Sequence, residues 1–431
     1  MPLLAGVAAV DITAPVGTPL AGFAARDHGS EGLHDSLHCK ALVLDDGVTR
    51  LCLITNDLIG LSAELVGRIR EQIERATGIP GANVMLSCSH THSGPQIRDE
   101  DLAAVLARQI AGAAVVASAN LQPARLGSAR GPVQVGINRR EVRDGQMVLG
   151  RNPDGPVAPY VDVIRVDDAA GRPLAILCAH ACHPVTRASD SYLISADYPG
   201  QAQAIVEQVH CGATAMFAQG CSGNINSEPV GGSWEDVRRL GTMLAGEVLK
   251  VREEIVTTDD VRLAAAEEMV GLPCERLPEL AKIEAELAAA EEKLAAAAAS
   301  GPATSAHTLR AFRDTWAKLQ AMKQRGEELP PYDFPVQGFA VGEVAILGLP
   351  GEAFVDYQLH ADAVSPFGQT LTLGCTNGSG AYIPTATALG EGGYEVTFTP
   401  LWWGRLPFAP ELEPELQGGI ERLLARLHGA T

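Results

Sequence analysis

The feature that most constrains this chain is a steady exchange of short β-rich runs with helical patterns along nearly its whole length. The β-rich runs fall at 6–12, 40–44, 50–55, 84–88, 161–166, 174–178, 214–218, 261–270, 344–348 and 370–374. Helical patterns lie between them, at 61–77, 102–117, 200–209, 234–254, 352–364 and 411–427. In the first of these Leu65, Ile69 and Ile73 recur at helical spacing and so share one face. Such an exchange predicts an α/β fold, a layered mixed sheet with flanking helices. No unit repeats at a period of 20–50 residues, which excludes solenoids and propellers.

Composition narrows the function classes. With 431 residues, 46% of them hydrophobic and 20% charged, the chain has material for a large core and needs no disulfide staples. Its formal charge of −19 is the wrong sign for nucleic acid or an anionic membrane surface. Nine cysteines, an odd number scattered through apolar runs, read as small buried thiols. The first 16 residues lack a basic stretch and contain Asp11, so they do not read as a signal peptide. No 18 consecutive residues are apolar, and a membrane span is not expected. The expectation is a cytoplasmic protein with a small-molecule substrate, no nucleic acid, no membrane, and homo-oligomerisation left open.

One segment differs. Residues 278–300 read PELAKIEAELAAAEEKLAAAAAS, Ser300-Gly301-Pro302 interrupts, and 306–326 resumes a helical pattern. Propensity alone makes both stretches helices. A helical hairpin at 275–330 is therefore expected as an insertion within a single catalytic domain, 1–431. A solvated arm, a lid and a dimer contact all fit its composition.

Four short motifs carry chemistry. Cys88-Ser89-His90-Thr91-His92-Ser93-Gly94-Pro95 follows an apolar run, and alternate residues of a strand share a face, so His90 and His92 can converge where the strand ends. Converging neutral imidazoles suit zinc, although an isolated HxH pair is weak evidence. His180-Ala181-Cys182-His183-Pro184 ends a second strand, and strand carboxyl ends are where such sheets place ligands. Cys178 and Cys182 have no second cysteine pair and read as packing. Gly220-Cys221-Ser222-Gly223-Asn224 fits an oxyanion-binding or nucleophile turn as well as an ordinary tight turn, and it is not a GxSxG elbow. Leu349-Pro350-Gly351-Glu352 sets a carboxylate at a strand-to-helix junction, as a helix N-terminal acid or a metal ligand.

These motifs, in order with Asp11-Ile12-Thr13, Gly32-Leu33-His34-Asp35, Asn56-Asp57-Leu58, Ile137-Asn138-Arg139, Asp197-Tyr198-Pro199-Gly200 and Tyr382-Ile383-Pro384-Thr385, resemble the neutral/alkaline non-lysosomal ceramidase family. The resemblance runs through almost the whole chain. It implies one zinc ion held by His90, His183, Glu352 and Tyr382, with His92 donating to an oxyanion or moving a proton and Arg139 binding the substrate carbonyl region. Ser222 falls where the family has a serine described as nucleophile or proton-handling group, but the surrounding turn departs from the family's. The implied reaction is zinc-dependent hydrolysis of an amide or ester bond, with zinc-bound water or Ser222 attacking. Asp57 is either a second acceptor for a ligand histidine or a loop cap, and Cys221 is a fallback nucleophile. A metal-dependent amidohydrolase or lactonase on a (β/α)₈ barrel and a non-catalytic zinc-binding module are the alternatives.

Overall fold

The computed structural model describes residues 2–300 and 303–430, and the expected elements form with local causes that can be named. Helix Ala63–Thr77 starts where the Ser62 side chain accepts from the Leu65 amide and stops at Gly78, whose φ of 74° is left-handed. Its Leu65, Val66, Ile69 and Ile73 are buried. Helix Trp234–Glu254 opens with a reciprocal capping box between Ser233 and Asp236.

Eight strands form one sheet in the order Thr214–Gln219, Pro173–His180, Tyr160–Asp168, Gln122–Pro132, Leu4–Asp11, His38–Asp45, Arg50–Asn56, Val84–Cys88. Its halves meet through only two residue pairs, Leu4 with Pro123 and Ala5 with Gln122. Neighbours are antiparallel except at the two ends, where Arg50–Asn56 runs parallel to Val84–Cys88 and Pro173–His180 parallel to Thr214–Gln219. A second sheet holds Leu263–Leu272, Tyr332–Val341, Val344–Gly348 and Gln369–Leu373, the last two parallel.

Period-2 burial makes four layers of these sheets. Leu42, Leu44, Leu51, Leu53, Leu126, Ile164, Leu177 and Met216 pack against Leu263, Phe339, Val341, Ile346, Leu371 and Leu373, so the sheets lie face to face. The alternate residues Ala41, Val43, Cys52 and Ile54 pack on helices Ala63–Thr77 and Glu100–Ala119. Ile176, Cys178, Ala215 and Phe217 pack on helices Asp197–Val209 and Trp234–Glu254. Helices Val355–Val364 and Leu412–His428 cover the second sheet. The architecture is mixed α/β with flanking helices. It is not a (β/α)₈ barrel, because both sheets are largely antiparallel.

Two features lie outside what the sequence pattern marks. Helix Glu100–Ala119 is long and apolar enough to cross a membrane by length and composition, although no unbroken apolar run marks it. Its Leu106, Ala107, Ile110, Ala111, Ala113, Ala114 and Ala117 are buried against the first sheet, which gives that apolar character a place in the core. Strands Gln122–Pro132, Gly136–Arg143, Gln146–Asn152 and Tyr332–Val341 escape the sequence pattern. They carry Pro, Gly or runs of polar residues, and they are held by ladder pairing rather than by alternation.

The segment 275–330 contains helices Leu280–Ser300 and Ala303–Gln324; of the expected break, Gly301 and Pro302 lie outside the described residues. A separate apolar cluster of Ile283, Trp316, Leu319 and Leu406 joins these helices to the body, and Thr315 Oγ1 donates to the Leu401 carbonyl at 2.8 Å.

Phe339 is 1% exposed between the sheets. Phe339→Ala is expected to cost about 3–5 kcal/mol in urea unfolding, against less than about 0.5 kcal/mol for Val256→Ala, where Val256 is 89% exposed.

Candidate metal centre

Three parallel strand pairs, Arg50–Asn56 with Val84–Cys88, Pro173–His180 with Thr214–Gln219 and Val344–Gly348 with Gln369–Leu373, deliver side chains from their carboxyl ends to one point. Beyond Val84–Cys88 the chain bends at His90, whose φ of 65° is a left-handed conformation unusual for a side-chain-bearing residue. Beyond Pro173–His180 comes His183, whose amide bonds the Ile225 carbonyl. Beyond Val344–Gly348 comes Glu352. The two-residue parallel ladder of Glu352–Ala353 with Tyr382–Ile383 sets Glu352 opposite Tyr382. Gly351 permits this approach: its φ is 71°, and a Cβ there would lie 2.4 Å from the Ala381 carbonyl oxygen.

The imidazoles of His90, His92 and His183 offer nitrogens that all lie within 4.8 Å of one another. His90 Nδ1 donates to the Ile59 carbonyl at 2.6 Å, and His183 Nδ1 to the Ser222 carbonyl at 2.7 Å. Anchoring Nδ1 to backbone fixes the tautomer and turns Nε2 inward, the usual preparation of a metal-ligating histidine. Glu352 Oε2 sits 2.9 Å from His183 Nε2 and 3.4 Å from His90 Nε2. His92 differs. Neither of its ring nitrogens has a hydrogen-bond partner among the described residues, and its ring makes edge contacts with Phe23 at 4.9 Å and His90 at 5.0 Å.

Electrostatics follow from burial and proximity. Burial opposes ionisation of Glu352, yet the His90 and His183 imidazoles hold its carboxyl well below the usual range. Burial, with Arg139 nearby, lowers His183 to about 4. Burial, with His90 and His183 nearby, drives His92 well below its ordinary value. Two oriented imidazoles, a carboxylate and a phenol are a fitting donor set for a divalent ion of the zinc kind. The unpartnered, buried His90 Nε2 is what such an ion would satisfy.

A cleft of about 800 Å³ opens beside these groups and is lined by His92, Arg139, Tyr382 and Tyr394, with Phe23, Leu149 and Val230 among its apolar walls. Ser222 is not part of that lining. It is 2% exposed, and its hydroxyl accepts from Gln219 Nε2 at 2.6 Å. Burial pushes the Cys221 thiol well up, which works against a thiolate there. Asp57 accepts from the His38 amide at 2.9 Å and caps a loop, while the backbone of Ile59 orients His90.

The sequence pattern of the family described as neutral/alkaline non-lysosomal ceramidase, N-terminal, matches residues 3–236, more than half of the chain. The chain belongs to that family. Neutral ceramidase A of Dictyostelium discoideum is 26% identical over 241 residues, 50% of this chain and 33% of that protein. Neutral ceramidase B of the same organism is 26% identical over 265 residues, 54% of this chain and 36% of that protein. The match thus spans about a third of each relative's length. The crystal structure of neutral ceramidase from Pseudomonas aeruginosa superposes with a TM-score of 0.73 at 19% identity, over 100% of this chain and 75% of that one. A structure titled ceramidase complexed with C2 gives 0.75 at 19% identity, over 100% and 76%. These two establish a shared fold.

The structure adds Tyr394, Glu395 and Cys375 to the residues around the site. Tyr394 lines the cleft with its ring 5.9 Å from that of Tyr382, Glu395 ion-pairs with Arg139, and Cys375 is a neighbour of His90. None sits in a motif with recognisable spacing. The only sequence signal was Gly392-Gly393, a turn whose importance appears only when Gly393 is seen at φ 98° against Met147 and Arg140.

Zinc-loaded wild-type protein is expected to retain about one zinc per chain after dialysis, measured by plasma mass spectrometry. His183→Ala and Glu352→Ala should fall below about one fifth of that, and His180→Asn should keep it. Stability should also report the buried histidines. Burial depresses His180 to about 4 from an ordinary 6.5, so below pH 6.5 the unfolded chain takes up a proton that the folded one refuses. Unfolding free energy of the metal-free protein should therefore fall as pH drops from about 6.5 towards 4, and less so in His180→Asn.

Proposed function

We propose that this chain is a zinc-dependent hydrolase of the amide bond in small N-acyl compounds. The observation that carries this reading is the convergence of His90, His183 and Glu352 beside a cleft that also presents His92, Arg139, Tyr382 and Tyr394. The names of its relatives support the bond type, since a ceramide is an N-acyl amide. The formal charge of −19 supports a water-dispersed substrate over one drawn from an anionic bilayer.

His90, His183, Glu352 and Tyr382 would hold the ion. When bound, zinc supplies Lewis-acid polarisation of a carbonyl and a lowered pKa for water. The chain's own residues do the rest. Arg139, charged and 4% exposed, offers N–H donors where negative charge develops on the carbonyl oxygen. Tyr394, its hydroxyl pushed up to about 12 by burial and by Glu352, stays protonated and can donate beside it. His92 lines the cleft with both ring nitrogens free of hydrogen bonds among the described residues, so its ring can pass a proton from water to the departing nitrogen. Ser222 acts through its backbone carbonyl, which fixes the His183 ring, while its hydroxyl accepts from Gln219 and lies off the cleft lining. That placement favours water over Ser222 as the nucleophile.

The reading is tested by following release of amine from N-octanoyl amides at neutral pH. A chelator should abolish turnover and zinc should restore it. Arg139→Met should lower kcat by about two to three orders of magnitude. Ser222→Ala should stay within about tenfold of wild type, and a loss as large as that of Arg139→Met would make the hydroxyl a reacting group.

A further inference from the structure

Arg139 and Arg140 are consecutive residues of the strand Gly136–Arg143, and a regular strand would send them to opposite faces. Here both reach one carboxylate. Glu395 Oε1 is 2.8 Å from Arg139 Nε, and Glu395 Oε2 is 2.9 Å from Arg140 Nη1. The ladder with Gln146–Asn152 shifts register between Asn138 and Arg140, which is the local irregularity that re-aims them. All three side chains are buried, Glu395 at 1% exposure.

The partners of the two arginines differ. Arg140 is held at both terminal nitrogens, its Nη2 meeting Glu391 and the Ala388 and Gly392 carbonyls. Arg139 gives Nε to Glu395 and Nη1 to Asn226 Oδ1 at 3.1 Å, while its Nη2 has no hydrogen-bond partner among the described residues. The buried guanidinium is held on two sides, interacts with Tyr382 across 5.2 Å, and leaves one nitrogen available in a residue that lines the cleft. Glu395 itself sits in a single π-helical turn, Tyr394–Phe398, whose first residue lines the same cleft. Such turns cost regular helix hydrogen bonding and recur at functional sites.

We propose that Glu395 is a positioning residue that sets the guanidinium of Arg139 for the substrate carbonyl, with Arg140 pairing the second oxygen of the same buried carboxylate. Arg140 balances the second carboxylate oxygen, so Glu395 need not move when Arg139 engages a ligand. This inference rests on the hydrolase reading above for its substrate, and on geometry alone for the pairing.

The test is a double-mutant cycle read in two ways on zinc-loaded protein. Glu395→Gln should lower kcat on N-octanoyl amides by about ten- to a hundredfold, with KM within threefold and zinc content unchanged. It should also weaken calorimetric binding of octanoate, whose carboxylate presents oxygens to Arg139, by about tenfold. In an Arg139→Met background Glu395→Gln should change neither quantity further. The same fractional loss in both backgrounds would show a merely structural role and overturn the proposal, as would unchanged kcat in Glu395→Gln. Glu395→Asp keeps the buried carboxylate while retracting it, and should show the kcat loss with folding intact if Glu395→Gln does not fold. Wild-type protein that binds octanoate in a Glu395-dependent way but hydrolyses no amide would refute the hydrolase reading and leave this one standing. Wild-type protein that hydrolyses amides regardless of Glu395 would do the reverse.

Discussion

The site depends on one short stretch of backbone, 374–377, that ties three strand ends together. The Gly374 amide bonds the Gln219 carbonyl, the Cys375 carbonyl accepts from Cys88, and the Asn377 amide donates to Leu86. Asn377 Oδ1 in turn accepts from the Leu86 amide at 2.9 Å. Both outer edges of the eight-stranded sheet are thereby fastened to the end of a strand in the second sheet. The Cys375 amide also donates to the Gly351 carbonyl at 2.7 Å, immediately before Glu352. That stitch adds to the face-to-face packing of the sheets and fixes the histidines of one against the carboxylate of the other. Cys375 and Asn377 sit at φ 47° and 60°, a strained conformation held by the bonds around it.

Strain and burial gather at the same place. His90 joins these residues in the left-handed region, and the centre combines a partly buried carboxylate, Glu352, with two buried imidazoles and the partly buried His92. A protein core would avoid such a grouping, since buried polar groups are costly unless paired. The bonds from His90 and His183 to backbone carbonyls show how the cost is contained: each ring is fixed by one nitrogen, which leaves the other for the centre. His92, contacted by rings rather than by hydrogen bonds, is the freest of the three.

Much of this was legible in the amino-acid sequence, for identifiable reasons. Val84–Cys88 and Val344–Gly348 are short, wholly buried strands whose apolar runs announce them. His90, His92, His183 and Glu352 stand directly beyond strands, so spacing and strand polarity brought them forward. What stayed hidden depends on distant partners. Gln122–Pro132 is a strand because Tyr160–Asp168 pairs with it, not because QPARLGSARGP alternates. Glu395 acquires its meaning from two arginines more than 250 residues away in sequence. The Gly-rich turn left Ser222 open between a reacting group and an ordinary turn residue, and its contacts, a hydroxyl that accepts from Gln219 and a carbonyl that accepts from His183, come from residues outside the motif.

X-ray absorption at the zinc edge of the zinc-loaded protein reads directly which atoms hold the proposed ion. The expected first shell is nitrogen and oxygen only, at about 2.0–2.2 Å, with multiple scattering from imidazole. A sulfur shell at about 2.3 Å would contradict this expectation. That result would place a cysteine, with Cys375 beside His90 the nearest at hand, where the structure puts Glu352.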